Sequence, residues 1–115
     1  MEQKIYQRLA DITPVLTVHG EGNKYVFLKN EDSVSALTQF AYGKFVPGEV
    51  CAEHLHPTME ECFYFLKGTG IYRIGGEVYP LEPGMFLRIP PGVPHQLEAT
   101  GTENLEFVYF GVATD

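Results

Sequence analysis

Glycine and proline cut this sequence into pieces that suit strands and little else. Turn signals recur about every eight to twelve residues, at Asn30-Glu31-Asp32-Ser33, Pro47-Gly48, Gly68-Thr69-Gly70, Gly75-Gly76, Glu82-Pro83-Gly84, Pro90-Pro91-Gly92 and Thr100-Gly101-Thr102-Glu103-Asn104. The pieces between them are rich in aromatic and β-branched residues, so the chain reads as an all-β sandwich or barrel of antiparallel strands with little or no helix. Val15 to Val18 and Tyr25 to Lys29 should form a hairpin around a glycine-rich turn that carries His19. Val34 to Phe45 should follow as one long strand, bent near Gly43. Further strands are expected over Ile71 to Ile74, Glu77 to Leu81, Met85 to Ile89 and Leu105 to Val112, with Gly75-Gly76 as a two-residue hairpin turn. Cys62-Phe63-Tyr64-Phe65-Leu66 is apolar on both faces, which predicts a strand buried on both sides, under a second sheet or a partner subunit. Residues 1–12 form an arm in which Ile5, Leu9 and Ile12 stand at helical spacing, ended by Pro14.

A length of 115 residues suits one domain spanning 1–115. Hydrophobic content of 44%, with eight Phe and seven Tyr, supplies one ordinary core and excludes disorder. A formal net charge of -7, with only eight Lys and Arg, argues against nucleic-acid or anionic-membrane partners, which need a clustered basic surface. Small molecules or other protein chains are left. No apolar run approaches the ~18 residues of a membrane span, and Met1-Glu2-Gln3-Lys4 leads into no signal-peptide core, so a cytoplasmic location is expected.

The chemistry concentrates in Gly48 to Glu61. His54 and His56 are two apart, which on a strand puts both imidazoles on one face, with Cα atoms roughly 6.5 Å apart. Pro57 cannot continue a ladder, so the chain should turn there and return with an acidic side chain, Glu60 or Glu61, near the two rings. The one well-placed distant ligand is His95, delivered by Pro90-Pro91-Gly92-Val93-Pro94. Cys51 is an odd number of residues from His54, so simple alternation turns it away from the ligand face, and Cys62 likewise by its place beside Glu61. Both are expected as reduced, packed thiols without a disulfide. His19 is read as the flank of a turn rather than as a ligand.

These two segments together resemble the paired motifs of the cupin superfamily, in its small single-domain form. Gly48, His54, His56, Glu61 and Gly68 fall in the first motif, G-x5-H-x-H-x3/4-E-x6-G, across 48–68. Gly84, Pro90, Gly92 and His95 fall in the second, G-x5-P-x-G-x2-H-x3-N, across 84–99, where only the final Asn is replaced, by Ala99. The resemblance implies a jelly-roll β-barrel holding one divalent transition metal on His54, His56, Glu61 and His95. It also selects Glu61 over Glu60 as the acidic ligand, and it implies a homodimer. With Glu61 inward, alternation sends Phe63 and Phe65 inward too, and Leu97 joins them beside His95.

Three imidazoles and a carboxylate suit Mn, Fe, Ni, Co or Zn, and an octahedral ion would keep about two positions open for water or substrate. The expected activity is that of a mononuclear metal enzyme, an isomerase, lyase or dioxygenase, acting on a small oxygenated or carbohydrate-like molecule in the barrel. The alternative is a non-catalytic module that binds or senses a small sugar or organic acid. Tyr42, Tyr72, Arg73 and Arg88 are candidates to line the cavity, and alternation alone does not decide which of Tyr72 and Arg73 faces in. No histidine is left over as a general base, so any acid or base step falls to metal-bound hydroxide, a tyrosine or Glu60.

Overall fold

Alternation along the strands decides the architecture. In the computed structural model, which describes residues 4–17 and 21–115, ten strands carry nearly all regular structure. They are β1 (Val15–Leu16), β2 (Asn23–Lys29), β3 (Leu37–Phe45), β4 (Val50–His54), β5 (Met59–Lys67), β6 (Gly70–Ile74), β7 (Glu77–Leu81), β8 (Phe86–Ile89), β9 (His95–Ala99) and β10 (Leu105–Ala113). One sheet has the order β1-β2-β3-β10-β5-β8 and the other β4-β9-β6-β7, with every neighbouring pair antiparallel. The result is a jelly-roll sandwich. No helix among the described residues is long and apolar enough to cross a membrane.

The core lies between the sheets and is mostly aromatic on one side. Phe63 and Phe65 of β5 stand opposite Tyr109 and Phe107 of β10 in the ladder. The Phe63 and Tyr109 rings stack at 5.0 Å, and Phe65 meets Phe107 at 5.2 Å. Tyr72, Ile74, Leu97 and Ala99 close the core from the second sheet, with Phe63 reaching Tyr72 edge-on at 5.3 Å. Such rings bury large apolar areas, and removing one outright costs about 3–5 kcal/mol. The inward assignments of Phe63, Phe65 and Leu97 agree with the sequence reading.

Several local expectations change. The long strand begins at Leu37 rather than Val34, because Ser33 and Ser35 hydroxyls accept hydrogen bonds from the backbone N–H groups of Ser35 and Leu37 in place of a ladder. Gly43 packs closely: a Cβ there would lie 2.3 Å from the Phe107 ring. Gly75 and Gly76, with φ of 56° and 91°, make the expected two-residue turn between β6 and β7. Of the N-terminal arm, Leu9–Asp11 is a single 3-10 turn, tied to the barrel by Lys4 on Asp32 at 3.0 Å and by the Gln7 amide donating to the Phe27 carbonyl at 2.8 Å. His19, expected at a turn flank, lies outside the described residues.

The β5 strand is covered on one face only. Tyr64 and Leu66 are 46% and 45% exposed in the single chain, where burial on both sides was expected. Neighbouring strands extend this apolar outer face with Phe40, Phe86, Val108 and Phe110, among which the Phe40 and Phe110 rings stack at 6.3 Å.

Candidate metal centre

Two stretches of chain deliver the three histidines. His54 ends β4 and is the direct ladder partner of His95, the first residue of β9. His56 follows in the loop broken by Pro57, and its carbonyl accepts a hydrogen bond at 2.8 Å from the N–H of Gly92. That bond fastens the Pro90-Pro91-Gly92 turn to the histidine pair, and Gly92 holds the turn with φ of 77°. Ring centroids lie 4.9 Å apart for His54 and His56, 4.3 Å for His54 and His95, and 5.5 Å for His56 and His95. One nitrogen from each ring falls within 4.8 Å of the other two, an arrangement compatible with a metal site.

The rings are oriented by backbone. His54 Nδ1 lies 2.9 Å from the Ala52 carbonyl and His95 Nδ1 2.8 Å from the Val93 carbonyl. A carbonyl only accepts, so both Nδ1 atoms carry hydrogen and Nε2 is left as the basic nitrogen of each ring. Glu61 arrives from the facing sheet, with Oε1 3.6 Å from Nε2 of both His56 and His95. Glu61 is 6% exposed, and burial pushes its pKa up to about 7, with the Lys24 ammonium pulling the other way.

Two sequence expectations about this region are corrected. β4 does not fold back on β5 as a hairpin. It pairs with β9, and the chain crosses from one sheet to the other through the Pro57 loop. Cys51 does not face away either. The β4–β9 register slips between Cys51 and His54, so three steps on β4 oppose two on β9, from Leu97 back to His95. This bulge places the exposed Ala52 and Glu53 outside and turns Cys51 and His54 to the same side, with the Cys51 sulfur 3.9 Å from His54 Nδ1. The thiol is buried, and its pKa is pushed up to about 11 by burial and then by Glu61. Both cysteines are free, as expected.

A cavity of about 120 Å³ opens beside the cluster. Phe45, Phe63, Leu97 and Phe107 give it an apolar wall, and Tyr72 and Tyr109 face it, both with phenols pushed above their ordinary value by burial. Of the four candidates named from sequence, only Tyr72 lines it. Tyr42 bonds Glu106, Arg73 pairs with Glu98 at 3.2 Å, and Arg88 pairs with Glu60 at 3.1 Å, all away from the cavity. Glu60 is thereby committed to a surface ion pair. Thr17, Lys24, Gln39, Met59 and Tyr109 also line the cavity and were not singled out from sequence. For Lys24, Gln39 and Tyr109 the signal was hidden because it depends on which way β2, β3 and β10 present their alternate residues.

A family model described as "Cupin domain" matches residues 41–111. The oxalate-binding protein of Thermotoga maritima is 29% identical over 106 residues, covering 88% of both chains. The tetracenomycin polyketide synthase protein TcmJ of Streptomyces glaucescens is 28% identical over 99 residues, 85% of this chain but 66% of that longer protein. Among solved structures, one described as a predicted oxalate decarboxylase from Thermotoga maritima superposes with a TM-score of 0.87 at 26% identity, covering 95% of this chain and 99% of that one. The polyketide cyclase RemF of Streptomyces resistomycificus shares the fold, with a TM-score of 0.80 at 16% identity, over 96% of this chain and 79% of that one. With its match reaching across both histidine motifs and most of the core, the chain belongs to the cupin-domain family.

Proposed function

We propose that this chain is a mononuclear metal enzyme of the isomerase, lyase or dioxygenase type, acting on a small oxygenated molecule, with His54, His56, Glu61 and His95 as the ligands. The observation that carries the reading is the convergence of three imidazoles, presented from one sheet and its loop, with a buried carboxylate from the other. Burying a carboxylate among aromatic rings is costly unless a positive charge compensates it, and a divalent ion does so. Three nitrogens and one oxygen suit Mn, Fe, Ni, Co or Zn, and when bound the ion would supply Lewis-acid stabilisation to an oxyanion of the substrate. The chain's own residues do the rest. The Ala52 and Val93 carbonyls hold the His54 and His95 rings in one tautomer, Phe45, Phe63 and Phe107 exclude water, and the Tyr72 and Tyr109 hydroxyls remain protonated donors at neutral pH.

The cavity bears on substrate size. At about 120 Å³ it holds roughly the volume of four waters, so a small acid or sugar fragment fits inside, while a polycyclic substrate would have to project through the mouth. A second reading, a binding module without turnover, is supported by the lack of a spare imidazole in the described lining and by the likeness to a protein described as oxalate-binding. A metabolite screen against metal-loaded protein separates the two. Conversion by wild type and not by Glu61→Gln supports the enzyme, whereas compounds bound for hours unchanged support the module. We further propose one domain over 1–115, a cytoplasmic setting, and a homodimer through the outer face of the larger sheet.

A further inference from the structure

The inner face of β2 and β3 carries a polar pair that the metal reading leaves unused. Lys24 stands opposite Gly43 in the β2–β3 ladder, and Ala41 and Gly43 are the buried inward residues beside it. With so little side chain on that row, the lysine stem can run along the sheet, and its ammonium donates to the Gln39 side-chain carbonyl at 3.2 Å. Lys24, Gln39 and Tyr109 all line the same cavity as the histidine cluster. Lys24 is the one lysine or arginine among the described lining residues, and no described carboxylate lies within ion-pair distance of it. A partly buried ammonium held by a neutral amide has donors to spare for an anionic group entering the cavity.

We propose that Lys24, positioned by Gln39, is the anchor for a carboxylate group of a small organic acid whose other oxygen end meets the histidine cluster. This deepens the metal reading above and rests on it for the second anchor. Inside the cavity there is room for a small acid, so a short dicarboxylate or a keto or hydroxy acid matches both ends at once. A neutral sugar fragment would leave the ammonium without its charge partner. Lys24 and Glu61 line the same cavity, so the cation and the proposed metal ligand face one ligand space.

Calorimetric titration of oxalate into wild type, Lys24→Met, Lys24→Arg and Gln39→Leu tests this, in metal-free and Mn²⁺-loaded protein, with circular dichroism as the folding control. Oxalate should bind wild type at least about tenfold more tightly than Lys24→Met, with Lys24→Arg recovering most of the loss and Gln39→Leu falling between. Oxamide, its uncharged diamide, should not distinguish wild type from Lys24→Met. Mn²⁺ should still bind all four proteins, since none of the changes removes a proposed ligand. Equal oxalate affinity in wild type and Lys24→Met, or no oxalate binding by wild type in either form, overturns the proposal. Failure of wild type to bind Mn²⁺ counts against the metal reading alone, because the Lys24 contrast is then read in the metal-free protein.

Discussion

Each residue of the cluster has a distinct physical job. His54 and His95 are fixed by carbonyls, His56 by the bond that ties its loop to Gly92, and Glu61 by a strand whose next inward residues are core aromatics. Removing an imidazole should therefore remove metal without unfolding the chain. Wild type should hold about one ion per chain, and His56→Ala and His95→Ala should each lose it, as measured by elemental analysis of the purified proteins. Full occupancy in both variants would refute the ligand set. Binding should also weaken as pH falls. Burial pushes the Glu61 pKa up to about 7 in the metal-free protein, so a metal must displace its proton below that range. Titration of Mn²⁺ between pH 8 and pH 5.5 should show affinity falling steeply through 7, and a flat profile would contradict the assignment.

At the scale of elements, the site depends on three local departures from regular pairing. The β4 bulge brings Cys51 and His54 to one face, the Pro57 loop carries the chain between sheets, and the Pro90-Pro91-Gly92 turn delivers His95 at the first position of β9. In the β3–β10 ladder the register is regular from Leu105 to Gly111, and Gly43 there faces the Phe107 ring. Gly43→Ala should destabilise the protein by about 1–3 kcal/mol through overpacking, seen as a melting temperature lowered by several degrees. An unchanged melting temperature would mean that the ring has room to move.

For the whole molecule, the open question is what covers the outer face of the six-stranded sheet. Tyr64 and Phe86 are 46% and 63% exposed and sit beside Phe40, Cys62, Val108 and Phe110, forming one apolar surface rather than scattered residues. The proposed homodimer would bury it. Light scattering near 0.1 mM should give about twice the 12.9 kDa chain mass, and Tyr64→Glu, which changes a side chain already half in solvent, should return the protein to monomer. A monomeric wild type at that concentration would remove the dimer from consideration.

The sequence by itself determined the strand class, most turns, and the identity of the histidines that meet. Period-two alternation, Gly and Pro punctuation, and ligand types at motif spacing are local signals, read within a few residues of one another. The inward direction of Phe63, Phe65 and Leu97 followed from parity once Glu61 was placed. Parity failed at Cys51, where a bulge inserts a residue that sequence does not announce, and at Tyr72 against Arg73, where nothing local distinguishes the two faces. Lys24, Gln39 and Tyr109 became visible only once β2, β3 and β10 were laid side by side. Which sheet a strand joins, and therefore which distant side chains share its cavity, is set by pairing between segments far apart in the chain, and that is decided by the packing of the whole core.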